Sequence, residues 1–217
     1  MSKKLILIRH GQSVWNFEKK YTGWANVPLT KLGIEQSKKA GKLFLKNKII
    51  PDISFTSIQK RSIDTNMFIL NELEFGKNKI KVYKNWRLNE RHYGKLTGLK
   101  KDKIKWIGGF YDVPPKLNIK NITKDITVNV INYNPIYGES HYMTHLRVLP
   151  FWNFIKRKFK TNNTILICSH KNTLRVLIKE IENINDQDFS SIIVDNCIPI
   201  IYNFNNDLTI YYKTNLI

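Results

Sequence analysis

Two short runs without a polar residue, Leu5-Ile6-Leu7-Ile8 and Ile165-Leu166-Ile167-Cys168, constrain the fold of this chain more than any other feature. A strand with one face in water alternates apolar and polar residues, whereas a strand that is apolar at every position has both faces covered. Such strands belong to parallel sheets with helices packed on either side. The remaining pattern alternates to match. Thr30 can cap a helix that carries Ile34, Ala40, Leu43 and Phe44 on one side. Pro51 ends that segment and Ile53-Ser54-Phe55-Thr56 predicts a second strand. Ser57 is expected to cap a helix running toward Leu73, and Lys81-Val82-Tyr83 predicts a short strand. Residues 86–135 are punctuated by Gly, Pro and Asn and read as a loop-rich insertion over a site. A long helix is expected over Glu139–Lys158, then the second apolar strand, then a helix over Asn172–Ile181. Closing strands are expected near Ile198–Ile201 and Leu208–Tyr211. The fold expectation is α/β: a single domain over residues 1–217, built as a three-layer sandwich with a mostly parallel central sheet and helices on both faces.

The net charge of +19 raises a nucleic-acid reading, but only seven of the 36 basic residues are arginine. The lysines are spread along the chain, apart from a denser patch at Lys156–Lys160, and are read as solvated faces. Lysine, asparagine and isoleucine abound, as AT-rich codons would impose. No apolar run has membrane-spanning length, and the run of four apolar residues before Arg9 is too short for a signal peptide. Cys168 and Cys197 lie in apolar surroundings and read as buried free thiols of a reducing compartment. A cytoplasmic protein without a nucleic-acid or membrane partner is expected.

Chemistry-bearing residues gather at strand ends and helix starts. Arg9-His10-Gly11-Gln12-Ser13 follows the first apolar strand and Ser169-His170-Lys171-Asn172 follows the second. The C-terminal ends of parallel strands are where open α/β sheets bind ligands, so two histidines are expected to face one another there. Arg61 lies in the first turn of its helix, where helix polarity also favours an anion. Asn89-Glu90-Arg91-His92-Tyr93-Gly94 sets a carboxylate beside two cationic side chains in a loop, a candidate acid/base group. Gly138-Glu139-Ser140 opens the long helix. Two histidines and two arginines around one point suit phosphoryl transfer through a phosphohistidine: a neutral imidazole attacks phosphorus, and cations hold the charged transition state. Neither strand-end histidine has zinc-ligand spacing, and His141 with His145 is an isolated helical pair. No metal is expected.

The stretches LIRHGQSVWN, YTGWANVPLT, TSIQKRSIDT, WRLNERHYGKLTGLKK, GES, LPFW and SHKNTLRVLIK occur in order from residue 5 to about 180. On these motifs the chain resembles the cofactor-dependent phosphoglycerate mutases, primed by 2,3-bisphosphoglycerate, of the histidine phosphatase superfamily. The resemblance implies interconversion of 2-phosphoglycerate and 3-phosphoglycerate in glycolysis and gluconeogenesis. It makes His10 the nucleophile, and places Arg9, Arg61 and His170 around the phosphoryl group with Asn16 and the backbone at Asn172. Glu90 becomes the proton donor and acceptor. Ser13, Thr22, Gly23, Arg91, Tyr93 and Lys101 would hold the substrate's carboxylate and second phosphate. Gly11, Gln12, His92 and Lys171, within the same motifs, are counted with them. A homodimer or homotetramer is implied. A phosphatase of the same superfamily, with water as acceptor, is the alternative, and a basic nucleic-acid-binding protein a remote one.

The chain departs from the family pattern at its rim. Ile107-Gly108 replaces an arginine pair, Lys171 a glycine, and Asp195-Asn196-Cys197 a Pro-Thr-Gly; the sequence stops at Ile217 without the family's tail. Lysines lack the bidentate fork of arginine, so Lys100, Lys105 or Lys116 would substitute only as point charges. A weakened clamp and raised phosphatase side activity are expected.

Overall fold

The computed structural model describes residues 3–73, 80–104, 106, 108–115 and 138–217. Lys105, Ile107, Lys116 and most of the later part of the expected insertion lie outside the described residues. Among the described residues six strands form one sheet: β1 (Lys3–Arg9), β2 (Ile53–Thr56), β3 (Lys81–Lys84), β4 (Thr164–Ser169), β5 (Ile200–Phe204) and β6 (Ile210–Asn215). Their order is β3-β2-β4-β1-β5-β6. The first four run parallel to one another, while β5 is antiparallel to β1 and β6 to β5.

Among the described residues five α-helices accompany the sheet: α1 (Val14–Phe17), α2 (Lys31–Lys46), α3 (Lys60–Asn71), α4 (His141–Lys158) and α5 (Lys171–Glu182). Successive side chains of a strand point to opposite faces, and the core divides accordingly. Leu5, Leu7, Phe55, Ile165 and Ile167 pack with Val148, Phe151 and Ile155 of α4 and Leu174, Leu177 and Ile178 of α5. Ile6, Ile8, Leu166 and Cys168 pack with Ala40 and Phe44 of α2 and Ile69 and Leu70 of α3. The sheet is therefore the middle of three layers, and both apolar runs are its central strands. Each Leu or Ile they bury is worth about 1.5–3 kcal/mol.

Two helix starts differ from the sequence expectation. Thr30 does cap α2, accepting from the Gly33 N–H at 3.1 Å. Ser57 does not cap α3, which begins after Gln59 without a side-chain cap. Its hydroxyl is engaged by His170 instead. Helix α4 starts two residues later than expected because Ser140, not Gly138, is the cap, accepting from the Met143 N–H at 3.0 Å.

The first turn of α2 lies against the loop after β1 with backbone touching backbone. A Cβ on Gly11 would sit 2.2 Å from the Gly33 carbonyl oxygen, and one on Gly33 would sit 2.1 Å from that of Gln12. Both positions therefore require glycine for close approach. Gly33→Ala is expected to lower stability by about 1–3 kcal/mol, the usual range for overpacking. Urea unfolding checks this; a midpoint equal to wild type would mean that helix and loop part at no cost.

Candidate active site

Strands β1 and β4 are neighbours in register, Arg9 opposite Ser169, so the next residue of each chain segment is a histidine at the same edge. The rings of His10 and His170 lie 4.9 Å apart, centroid to centroid, tilted by 60°. The loop that carries His10 is pinned from several elements. His10 N–H donates to the Ser169 carbonyl (2.9 Å), Asn196 Nδ2 donates to the His10 carbonyl (2.5 Å), and Cys197 N–H donates to the Arg9 carbonyl (3.0 Å). Cys197 accepts a left-handed backbone (φ 55°) to do so, a conformation costing a side-chain-bearing residue roughly 1–2 kcal/mol. Gly11 N–H donates to Thr65 Oγ1 (3.0 Å) and Gln12 N–H to Gln36 Oε1 (2.9 Å).

The partners of His10 fix its tautomer. Nδ1 lies 2.7 Å from the Gly11 carbonyl, which only accepts, so Nδ1 carries the proton. Arg61 Nε, which only donates, lies 3.3 Å from Nε2, so the lone pair is on Nε2. Burial, then Arg61 and Arg9, hold the pKa of His10 well below its ordinary value. A neutral imidazole with its Nε2 lone pair beside a guanidinium is the result. Arg61 is itself buried, and its other nitrogens donate to the carbonyls of Ala25 (2.8 Å) and Gly23 (2.9 Å). Burial pulls its pKa down to about 10. His170 shares Nε2 with Ser57 Oγ at 2.8 Å, and burial, Arg61 and His10 lower its pKa well below the ordinary value. Its buried Nδ1 and the buried Nε of Arg9 have no partner among the described residues.

A pocket opens in front of His10. Its walls include Arg9, Asn16, Thr22, Arg61, Glu90, Tyr93, Lys101, Lys171 and Asn172. Among the described residues Glu90 is the one carboxylate in these walls, against two arginines and two lysines. Oε1 of Glu90 accepts from the Arg91 N–H (2.7 Å) and from Asn172 Nδ2 (3.1 Å). Asn172 Nδ2 also donates to the Tyr93 hydroxyl (2.9 Å). This donor set, with unpartnered buried nitrogens and an excess of cations, fits a small polyanion carrying phosphate.

The other residues singled out in the sequence lie behind these walls. Gly11 and Gln12 spend their N–H groups on α3 and α2. Ser13 is the N-cap of α1 and exchanges hydrogen bonds with Asn16. Gly23 offers its carbonyl to Arg61 and Gln59. Arg91 lies over the rings of Tyr93 and Trp106, and His92 Nδ1 accepts from the Gly94 N–H (3.0 Å).

Sequence reasoning missed Ser57, Gln59, His141 and Arg147. Gln59 Oε1 accepts from the Glu90 N–H (2.7 Å). Arg147, buried in α4, donates to Glu139 and to the carbonyls of Arg87, Asn89 and Glu90, while Glu139 also accepts from the His92 N–H (2.8 Å). The Gly138-Glu139-Ser140 turn therefore holds the Glu90 loop in place. An arginine within an amphipathic helix carries no local sign of such a role.

His10, His92, His141 and His170 all have lowered pKa values with burial as the first cause, His141 at about 3. The unfolded chain takes up protons on these rings near pH ~6.5, while the folded chain resists. Their contribution to stability is complete above that pH and is lost as pH falls below it, by up to ~1.4 kcal/mol per pH unit for each proton. Urea unfolding at pH 7.5 and 5.5 is expected to show markedly lower stability at the acidic pH. Equal stability would contradict neutral buried rings.

The family model for the histidine phosphatase superfamily (branch 1) matches residues 5–215. The chain is 42% identical to a 2,3-bisphosphoglycerate-dependent phosphoglycerate mutase of Buchnera aphidicola subsp. Cinara cedri, covering 94% of each chain. It is 37% identical to the enzyme of that name from Staphylococcus aureus (strain JH9), covering 97% of this chain and 98% of the relative. The alpha-ribazole phosphatase of Shigella flexneri shares the fold, with a TM-score of 0.75 at 21% identity, covering 98% and 94% of the two chains. By this match and these relatives, the chain belongs to branch 1 of the histidine phosphatase superfamily and, within it, to the phosphoglycerate mutase family.

Proposed function

We propose that this protein interconverts 2-phosphoglycerate and 3-phosphoglycerate by passing a phosphoryl group through His10. The observation that carries this reading is the pairing of a proton-free Nε2 on His10 with one carboxylate, Glu90, in the walls of a cationic pocket. When bound, 2,3-bisphosphoglycerate supplies the phosphoryl group that primes His10. The His10 Nε2 lone pair forms the N–P bond as the P–O bond to the departing substrate oxygen breaks. The Nδ1–H···O=C bond to Gly11 stabilises the charge that develops on the ring. Arg61 Nε–H turns from Nε2 to a phosphoryl oxygen, and Arg9 Nε and His170 Nδ1 supply further donors. With Ser57 O–H donating to Nε2 of His170, the His170 proton sits on Nδ1. Glu90 gives its proton to the departing oxygen, and as carboxylate takes one from the hydroxyl that attacks in the return step. Lys101, Lys171, Thr22 and Asn16 hold the remaining anionic groups of the substrate. The reaction needs no metal in this reading.

Incubation with 2,3-bisphosphoglycerate is expected to produce an acid-labile phosphohistidine in wild type and none in His10→Ala. No label in wild type, or equal label in the variant, overturns the mechanism. Glu90→Gln is expected to lower isomerisation about 10²–10⁴-fold, the usual worth of a general acid/base. Phosphate release that outpaces isomerisation would make water the acceptor, the reaction of a phosphatase.

A further inference from the structure

His141 opens α4, is buried, and takes no part in the walls of the pocket. Its ring packs against Phe189, at 4.6 Å, and lies nearly parallel to Phe110, at 6.5 Å. Nε2 lies 3.1 Å from Asn172 Oδ1, and Nδ1 lies 3.4 Å from a terminal nitrogen of Arg91. Asn172 in turn bridges to Glu90 and Tyr93 through Nδ2. Charge gives this chain of bonds a direction. A carboxylate only accepts, so the amide nitrogen of Asn172 faces Glu90 and the amide oxygen faces His141. His141 must then donate from Nε2, and its Nδ1 lone pair faces Arg91, which only donates. Burial and Arg91 push its pKa down to about 3, against the Asn172 bond and the Gly109 carbonyl, so the ring stays neutral.

The two faces of an asparagine amide are nearly the same in shape, so packing alone does not choose between them. The choice matters because a flipped amide would turn its oxygen on Glu90 and repel the carboxylate. In the observed orientation Oε1 of Glu90 is held from two sides, by Asn172 Nδ2 and the Arg91 N–H, and Oε2 is left to the pocket. We infer that His141 is a positioning residue for proton exchange at Glu90: its Nε2–H fixes the Asn172 amide, and Asn172 aims the carboxylate at the substrate hydroxyl. This rests on the reading of Glu90 as the acid/base group. Neither a metal site nor a simple packing role is required of the ring, and its companion His145 instead faces Glu180 at 3.7 Å.

Steady-state isomerisation by His141→Leu and His141→Gln tests the inference. Leucine fills space without a donor, whereas the glutamine side-chain amide can donate to Asn172 Oδ1. His141→Leu is expected to lose at least tenfold in kcat with KM changed less than twofold, and His141→Gln to recover to within about threefold of wild type. An unchanged kcat in His141→Leu overturns the inference, as does an equal loss in both variants accompanied by lowered thermal midpoints, which would mark packing alone. Long-range ¹H–¹⁵N NMR of the wild-type protein needs no variant: it is expected to assign His141 as the Nε2–H tautomer, and an Nδ1–H tautomer overturns the inference. Phosphohistidine labelling of wild type keeps the outcomes apart. If wild type takes no label, the proposed reaction fails; if it labels and His141→Leu turns over normally, only the role of His141 fails.

Discussion

The parallel pairing of β1 with β4 is the constraint on which the site depends. Two strands with both faces buried can lie side by side only in the middle of a covered sheet, and in register Arg9 meets Ser169. One residue further, His10 and His170 leave the sheet together. Their separation is thus set by ladder hydrogen bonds between two strands whose apolar residues are fully buried and not by loop conformation. A one-residue slip would turn every apolar side chain of the strand to the opposite helix layer, so the core that stabilises the fold also protects the distance between the rings.

Around this fixed pair the protein buries charges that would be costly alone. The Arg61 guanidinium is offset by two carbonyls of the 23–25 loop. Arg147 is offset by Glu139 and three carbonyls of the Glu90 loop. A buried pair gains little over an apolar substitute, but losing one partner typically costs 3–5 kcal/mol. These arginines therefore tie loops to the sheet with a penalty for release. Cations used in this way are held in one geometry. Arg61 donates to Gly23, Ala25 and His10 at once, so the loop that supplies the carbonyls also decides where the Nε–H points.

The sequence revealed what depends on local pattern. Apolar runs ending in histidine gave the central strands and the two facing rings, because both features lie within a few consecutive residues. Thr30 as a helix cap was legible for the same reason. Ser57 was misread because a serine before a helix has the same local appearance whether it caps the helix or bonds a histidine 113 residues away. Gly11 was counted with the substrate-holding residues on its motif alone; its close approach to Gly33 of the same chain is a tertiary contact without a local sign. Gly138-Glu139-Ser140 was located but its use was not, since Glu139 acts through Arg147, eight residues on, and His92, 47 residues back. His141 was weighed with His145 because they share a helix face, whereas its partners Asn172 and Arg91 lie on other elements.

The rim contrasts with this fixed centre. Lys171 and Lys101 line the pocket with part of their side chains exposed, and the stem of each is long and flexible. An arginine fork holds a carboxylate or phosphate in one geometry, whereas an ammonium is a point charge that follows its partner. In the proposed reaction the phosphoryl group leaves one oxygen of the substrate and returns to another, so the substrate must turn while the attacking nitrogen stays put. Such a turn needs a rigid nucleophile and an adaptable clamp. Strand register, buried carbonyls and a neutral tautomer supply the first; lysines at the rim supply the second. In that reaction a lysine rim, less rigid than an arginine fork, would also exclude less water from a phosphorylated His10, so hydrolysis would compete with transfer at the rim and not at the histidines.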